Sequence, residues 1–156
     1  MKIESGRLSD EQLAFFKEEG YFIAENVFEP SELEPLRQDL EKEIALKIDE
    51  LERDGKIEKT YPEEAFNQRL TRIYHDNKDN GEEVMLSLVG VGGGRYQGRS
   101  MYNLITHPRL LEAVSSLVGP DVVASAAYRI RPKVPGIGRG DVPWHRDSGY
   151  FASHCE

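Results

Sequence analysis

His145 and Asp147 stand two residues apart in the run Pro143-Trp144-His145-Arg146-Asp147-Ser148-Gly149-Tyr150-Phe151. Side chains on an extended segment alternate with period two, so this imidazole and this carboxylate fall on one face. Side by side, they can hold two adjacent positions of a metal ion. Two histidines and one carboxylate make the facial triad of non-haem Fe(II) oxygenases, which leaves three positions for a co-substrate and O₂. His-x-Asp is a short pattern, and on its own it reads more simply as a surface ion pair near a chain end.

Other chemistry-bearing groups have plainer explanations. Gly90-Val91-Gly92-Gly93-Gly94-Arg95 looks like a phosphate cradle but fits neither G-x-G-x-x-G nor the P-loop, since no Gly-Lys-Ser/Thr follows. It reads as a flexible loop, with a lid over a pocket as the functional alternative. His75, Asp76 and Asp79 sit in a polar cluster that a solvated turn explains better than a bound cation. His107 precedes Pro108 at a helix start, where capping explains it better than catalysis. Cys155 reads as a plain free thiol, because nothing near it marks an activated nucleophile.

Composition narrows the classes. The chain has 156 residues, 38% hydrophobic and 31% charged, with a formal net charge of −8. That balance argues against nucleic acid held on a basic face and against an electrostatic grip on anionic lipid. A single cysteine excludes a disulfide framework and a multi-cysteine zinc site. No apolar run approaches the roughly 18 residues that span a bilayer. The N-terminus lacks the apolar core of a signal peptide. The expectation is a soluble, cytoplasmic protein.

The elements that must position these groups are unevenly signalled. Ser9 and Gln12 make a capping box for a first helix, Leu8 can staple onto Leu13, and Gly20 suits its end. Residues 21–28 read as a short strand, aromatic and β-branched between Gly20 and Pro30. A second helix is expected from Ser31, capped with Glu34, with Pro35 disturbing its first turn. Leu36, Leu40, Ile44, Ile48 and Leu51 give it one apolar stripe, which would pack on a sheet or on a partner subunit, and it ends by Gly55. Residues 76–81 read as a polar turn, and residues 84–91 fit either a strand or a short helix. A further helix is capped by Thr106 or His107, with Pro108 in its first turn and Gly119-Pro120 at its end. Its expected apolar face is Leu110, Leu111, Val114, Leu117 and Val118. Residues 122–130 and 142–151 read as strands.

Three pieces, in order, resemble the phytanoyl-CoA dioxygenase family of Fe(II)/2-oxoglutarate oxygenases. The first runs from Leu8-Ser9-Asp10-Glu11-Gln12 to Glu19-Gly20-Tyr21-Phe22-Ile23. The second is His107-Pro108-Arg109-Leu110-Leu111 leading to Leu117-Val118-Gly119-Pro120-Asp121. The third is Tyr128-Arg129-Ile130-Arg131-Pro132-Lys133, then Trp144-His145-Arg146-Asp147-Ser148-Gly149-Tyr150-Phe151. The resemblance implies a fold of the α+β class, with N-terminal helices packed on the first strands of an incomplete double-stranded β-helix, or jelly-roll barrel. It implies Fe(II) and 2-oxoglutarate as cofactor and co-substrate, with His145 and Asp147 as the first two iron ligands. Arg131, or Lys133, would contact a carboxylate of co-substrate or substrate, with a solvent-facing strand-end charge as the structural alternative. Tyr150 would line the substrate pocket, whereas Phe151 reads as core.

The family's distal histidine and its 2-oxoglutarate arginine lie well downstream of the His-x-Asp pair. This sequence stops at Glu156, nine residues after Asp147. His154 is too close to be the distal ligand, and on a continuing strand it would face away from His145. The expectation is therefore one truncated domain over residues 1–156. It has a helical region at 1–60, and a helix plus first barrel strands at 100–156 that carry the His-x-Asp pair. The isolated chain is expected to turn over little or not at all. The alternatives are a non-catalytic remnant or association module, in which a homodimer completes the sheet by exchange, and a cupin-like metal binder that does not use 2-oxoglutarate.

Overall fold

The computed structural model describes residues 6–89, 96–124 and 130–135. Its elements are six helices: α1 (Asp10–Glu19), α2 (Pro30–Arg53), α3 (Phe66–Asp76), α4 (Lys78–Val89), α5 (Arg99–Ile105) and α6 (Pro108–Val118). Among the described residues there is no β-strand.

The helix ends follow local chemistry. Ser9 Oγ accepts the Gln12 amide at 3.3 Å, and the Gln12 side chain accepts the Ser9 amide at 2.8 Å, completing the predicted box. Helix α2 begins earlier than Ser31. Glu29 is its N-cap and Pro30 its first residue, because proline's fixed φ and missing N–H suit that position. The Glu32 carboxylate accepts the Glu29 amide at 2.7 Å, while Glu34 instead binds Arg37 at 2.6 and 2.7 Å. The helix runs unbroken through Pro35. It ends in a Schellman motif: the Gly55 amide donates to Glu52 O and the Lys56 amide to Leu51 O, with Gly55 at φ +69°.

The core is built by three helices. Ile44, Ile48 and Leu51 of α2 meet Leu70 and Ile73 of α3 and Val84 and Leu88 of α4. Ile48, Leu51, Ile73 and Val84 are fully buried, each side chain contributing roughly 1.5–3 kcal/mol of transfer free energy. Among the described residues the α2 stripe thus packs on helices rather than on a sheet. Residues 76–81, expected as a turn, are a tight helical corner in which Asn77 alone separates α3 from α4. Asn77 Oδ1 accepts the Asn80 amide at 3.1 Å and caps α4. The buried Asn80 side chain donates to Lys56 O at 2.8 Å. Gly81 lies so close to α3 that a Cβ there would fall 2.5 Å from Tyr74 Cα.

The expected α+β arrangement of helices on barrel strands is therefore corrected to a helical one for the described residues. The run 21–28 fails as a strand. Asn26 adopts φ +62°, which breaks the extended path, and Tyr21 packs edge-on against Phe15 of α1 at 5.6 Å. Val122 and Val123 also form no strand, and Val123 is 91% exposed. β-branched composition favours a strand only where a neighbouring strand supplies the ladder. Residues 125–129 and the expected strand at 142–151 lie outside the described residues. Helix α6 buries Ala113, while Val118, assigned to its apolar face, is 68% exposed.

Candidate functional site

His145, Asp147 and Tyr150 lie outside the described residues, as do Trp144, Phe151, His154, Cys155 and the glycine run 90–95. Arg131 is described. It belongs to residues 130–135, where Ile130 and Val134 pack against the helical core while Arg131 and Lys133 are exposed. Residues 130–134 close over a cavity between α2, α3 and α4 that Lys133 helps to line. The structure thus puts Arg131 on the outer side of the helical unit.

Among the described residues no group of three His, Cys, Asp or Glu side chains could hold a metal ion. His75 is exposed in the last turn of α3, and neighbouring Asp76 accepts a hydrogen bond from the Tyr61 hydroxyl. That carboxylate pushes the Tyr61 phenol above its ordinary pKa of 10.0.

The main polar constellation of the described region is one that sequence reasoning missed. Residues 29–32 at the start of α2 meet residues 107–109 at the start of α6. His107 Nε2 lies 3.2 Å from Glu32 Oε1, and the Arg109 guanidinium donates to the other Glu32 oxygen. Arg109 also reaches Glu29 at 3.8 Å, and the His107 ring meets Phe28 edge-on at 4.9 Å. The Glu29 amide lowers the Glu32 pKa most, followed by the His107 hydrogen bond and the Arg109 charge. The carboxylate partner assigns the ring proton to Nε2. His107 Nδ1 is buried without a hydrogen-bond partner among the described residues. His107 is the N-cap of α6 by position, but its side chain makes no cap bond. It is spent on α2, and the expected capping role is corrected accordingly. The contact spans 75 residues of sequence, and no local pattern could have announced it.

A second tie fixes the chain after residue 95. The Tyr96 hydroxyl donates to Asp39 of α2 and lies 2.8 Å from Ser100 Oγ. The Tyr96 hydrogen bond holds the Asp39 pKa below its ordinary value. Burial raises the Tyr96 pKa, and the Asp39 contact adds to it. Both clusters join segments far apart in sequence, so they act as structural ties. No helix among the described residues is long and apolar enough to cross a membrane.

A family model described as Phytanoyl-CoA dioxygenase (PhyH) matches residues 16–155. No curated protein and no solved structure matches the chain.

Proposed function

We propose that this chain, which belongs to the phytanoyl-CoA dioxygenase family, serves an Fe(II)- and 2-oxoglutarate-dependent oxygenase that hydroxylates a small molecule. The observation that carries the reading is the family match across residues 16–155, a span that contains His145-x-Asp147. An imidazole nitrogen and a carboxylate oxygen are a donor set that suits Fe(II). His145 and Asp147 would hold the metal, which with 2-oxoglutarate and O₂ supplies the oxidising chemistry when bound.

The protein's own groups have simpler work. His145 must present an unprotonated ring nitrogen and Asp147 an ionised carboxylate, so metal affinity falls as pH drops through the histidine range near ~6.5. Arg131 offers a permanent cation to a carboxylate of the co-substrate or the substrate. Tyr150 would line the substrate pocket. A single cysteine and the acidic balance fit a cytoplasmic setting.

The test is anaerobic titration of the full chain with Fe(II), then 2-oxoglutarate, following the visible charge-transfer band of the chelate. His145→Ala and Asp147→Ala should each weaken metal binding at least tenfold, as lost ligands do. Arg131→Ala should weaken 2-oxoglutarate while sparing the metal. Metal binding that survives both ligand substitutions would sink the assignment. Metal binding with no response to 2-oxoglutarate would favour the cupin-like reading instead.

A further inference from the structure

Beneath residues 130–134 lies a cavity of about 230 Å³. Leu40 and Ile44 of α2, Phe66 and Leu70 of α3 and Leu88 of α4 form its apolar walls. Ile130 and Val134 roof it and pack against the same helical core. The described polar residues on its border do not call for a charged ligand. Asn67 is exposed, and the Thr71 hydroxyl donates to Asn67 O at 3.5 Å within α3. Lys133 is exposed and already has an interaction of its own. None of the described lining residues is acidic. An ion in this chamber would lose its hydration and gain no partner, a cost that an uncharged ligand does not carry. Left empty, the walls forgo dispersion contacts that a filling group restores. An apolar cavity of about 150 Å³ walled by Leu, Ile and Phe stays dry and binds benzene. The chamber under residues 130–134 is larger and has walls of the same residue types. It therefore has room for a benzene ring with a short alkyl substituent.

We propose that this cavity binds a small uncharged aromatic molecule, a benzene ring with at most a short alkyl chain, seated between α2, α3 and α4. The binding needs neither iron nor 2-oxoglutarate, so it goes beyond the oxygenase reading and is tested on the metal-free chain.

Two-dimensional NMR of the full chain with isotope-labelled Ile, Leu and Val methyls, titrated with benzene, toluene, benzoate and benzylamine, tests it. Toluene should bind saturably, one per chain, moving the methyl signals of Ile44, Leu70 and Val134 in step. The methyls of Leu46 and Leu86, which are exposed, should stay in place. Toluene should bind up to about fourfold more tightly than benzene, since one buried methyl is worth about that in affinity. Benzoate and benzylamine should bind at least tenfold more weakly than toluene, because each would bring an unpaired charge. Thr71→Phe fills the cavity from α3 and should weaken toluene at least tenfold while the circular dichroism spectrum stays that of the folded parent. The proposal fails if toluene binding does not saturate, or if Leu46 and Leu86 respond in parallel with Ile44, because the contact is then surface adsorption. It fails if benzoate or benzylamine matches toluene, or if a folded Thr71→Phe binds toluene as tightly as the parent. If Thr71→Phe does not fold, the methyl map of the parent chain decides alone.

Discussion

Gly81→Ala probes the α3–α4 corner directly, because two physical effects oppose each other there. In an exposed helix this exchange is stabilising by about 1 kcal/mol, since glycine loses more backbone freedom on folding than alanine. At this position the added Cβ would fall 2.5 Å from Tyr74 Cα, 2.6 Å from its Cβ and 2.6 Å from its Cδ2. Carbon atoms in ordinary contact are ~3.5–4.0 Å apart, so α3 and α4 must separate by about 1 Å. The nearest atom is backbone, so no rotamer of Tyr74 relieves the overlap. Overpacking of this kind costs about 1–3 kcal/mol, and a backbone clash belongs in the upper half of that range. Clash outweighs propensity, and the net loss is about 1–2 kcal/mol. In a domain of this size each 1 kcal/mol lowers the melting midpoint by about 2–4 °C, so the drop should be about 2–8 °C. Urea denaturation followed by far-ultraviolet circular dichroism measures it. A variant as stable as the parent, or more so, with an unchanged m-value would refute the close packing of these two helices.

Ile48→Ala removes a fully buried side chain between α2, α3 and α4 and should cost about 2–5 kcal/mol in urea denaturation; a loss under 1 kcal/mol would place the core elsewhere. Glu32→Gln addresses the tie between α2 and α6. The Glu32 carboxyl titrates below its ordinary value of 4.5 when folded, so its contribution is present above that value and is withdrawn as pH falls through the folded one. The parent should therefore lose more stability between about pH 5 and about pH 3 than Glu32→Gln does, and equal losses would show that the tie is not ionic.

What was legible in the sequence was what local chemistry decides. The Ser9–Gln12 box, the apolar stripe of α2 and its end at Gly55 each depend on residues within a turn or two of one another. Helix α3 escaped notice because its N-cap is Ala65, which offers no side-chain cap, and its start follows the irregular stretch around Pro62. The corner at residues 76–81 was misread because Asn77, Asn80 and Gly81 are turn formers by composition. Here Asn77 caps α4, Asn80 reaches back to Lys56, and Gly81 admits α3. The strand expected at 21–28, and the described start (122–124) of the one expected at 122–130, were misread for the opposite reason: a strand is completed by a partner far away in the chain, and β-branched residues say nothing about whether one is there. Within the candidate site, His145, Asp147 and Tyr150 rest on their spacing and on the family match, while the Glu32–His107–Arg109 contact had no sequence signal at all.

Arg131 shows how the readable and unreadable parts meet. Residues 130–135 alternate between half-buried and exposed, with Ile130, Pro132 and Val134 facing inward and Arg131, Lys133 and Pro135 outward. That is the period of an extended segment laid on one apolar surface, here the surface of α2, α3 and α4 rather than a neighbouring strand. The register is set by Ile130 and Val134, because a slip of one residue would press Arg131 and Lys133 against that surface. Burying an unpaired guanidinium costs several kcal/mol, more than the roughly 1.5–3 kcal/mol gained by seating either aliphatic side chain. The outward placement of Arg131 therefore follows from its two apolar neighbours, whatever anion it meets. Its role as a carboxylate contact depends on what stands opposite that outer face.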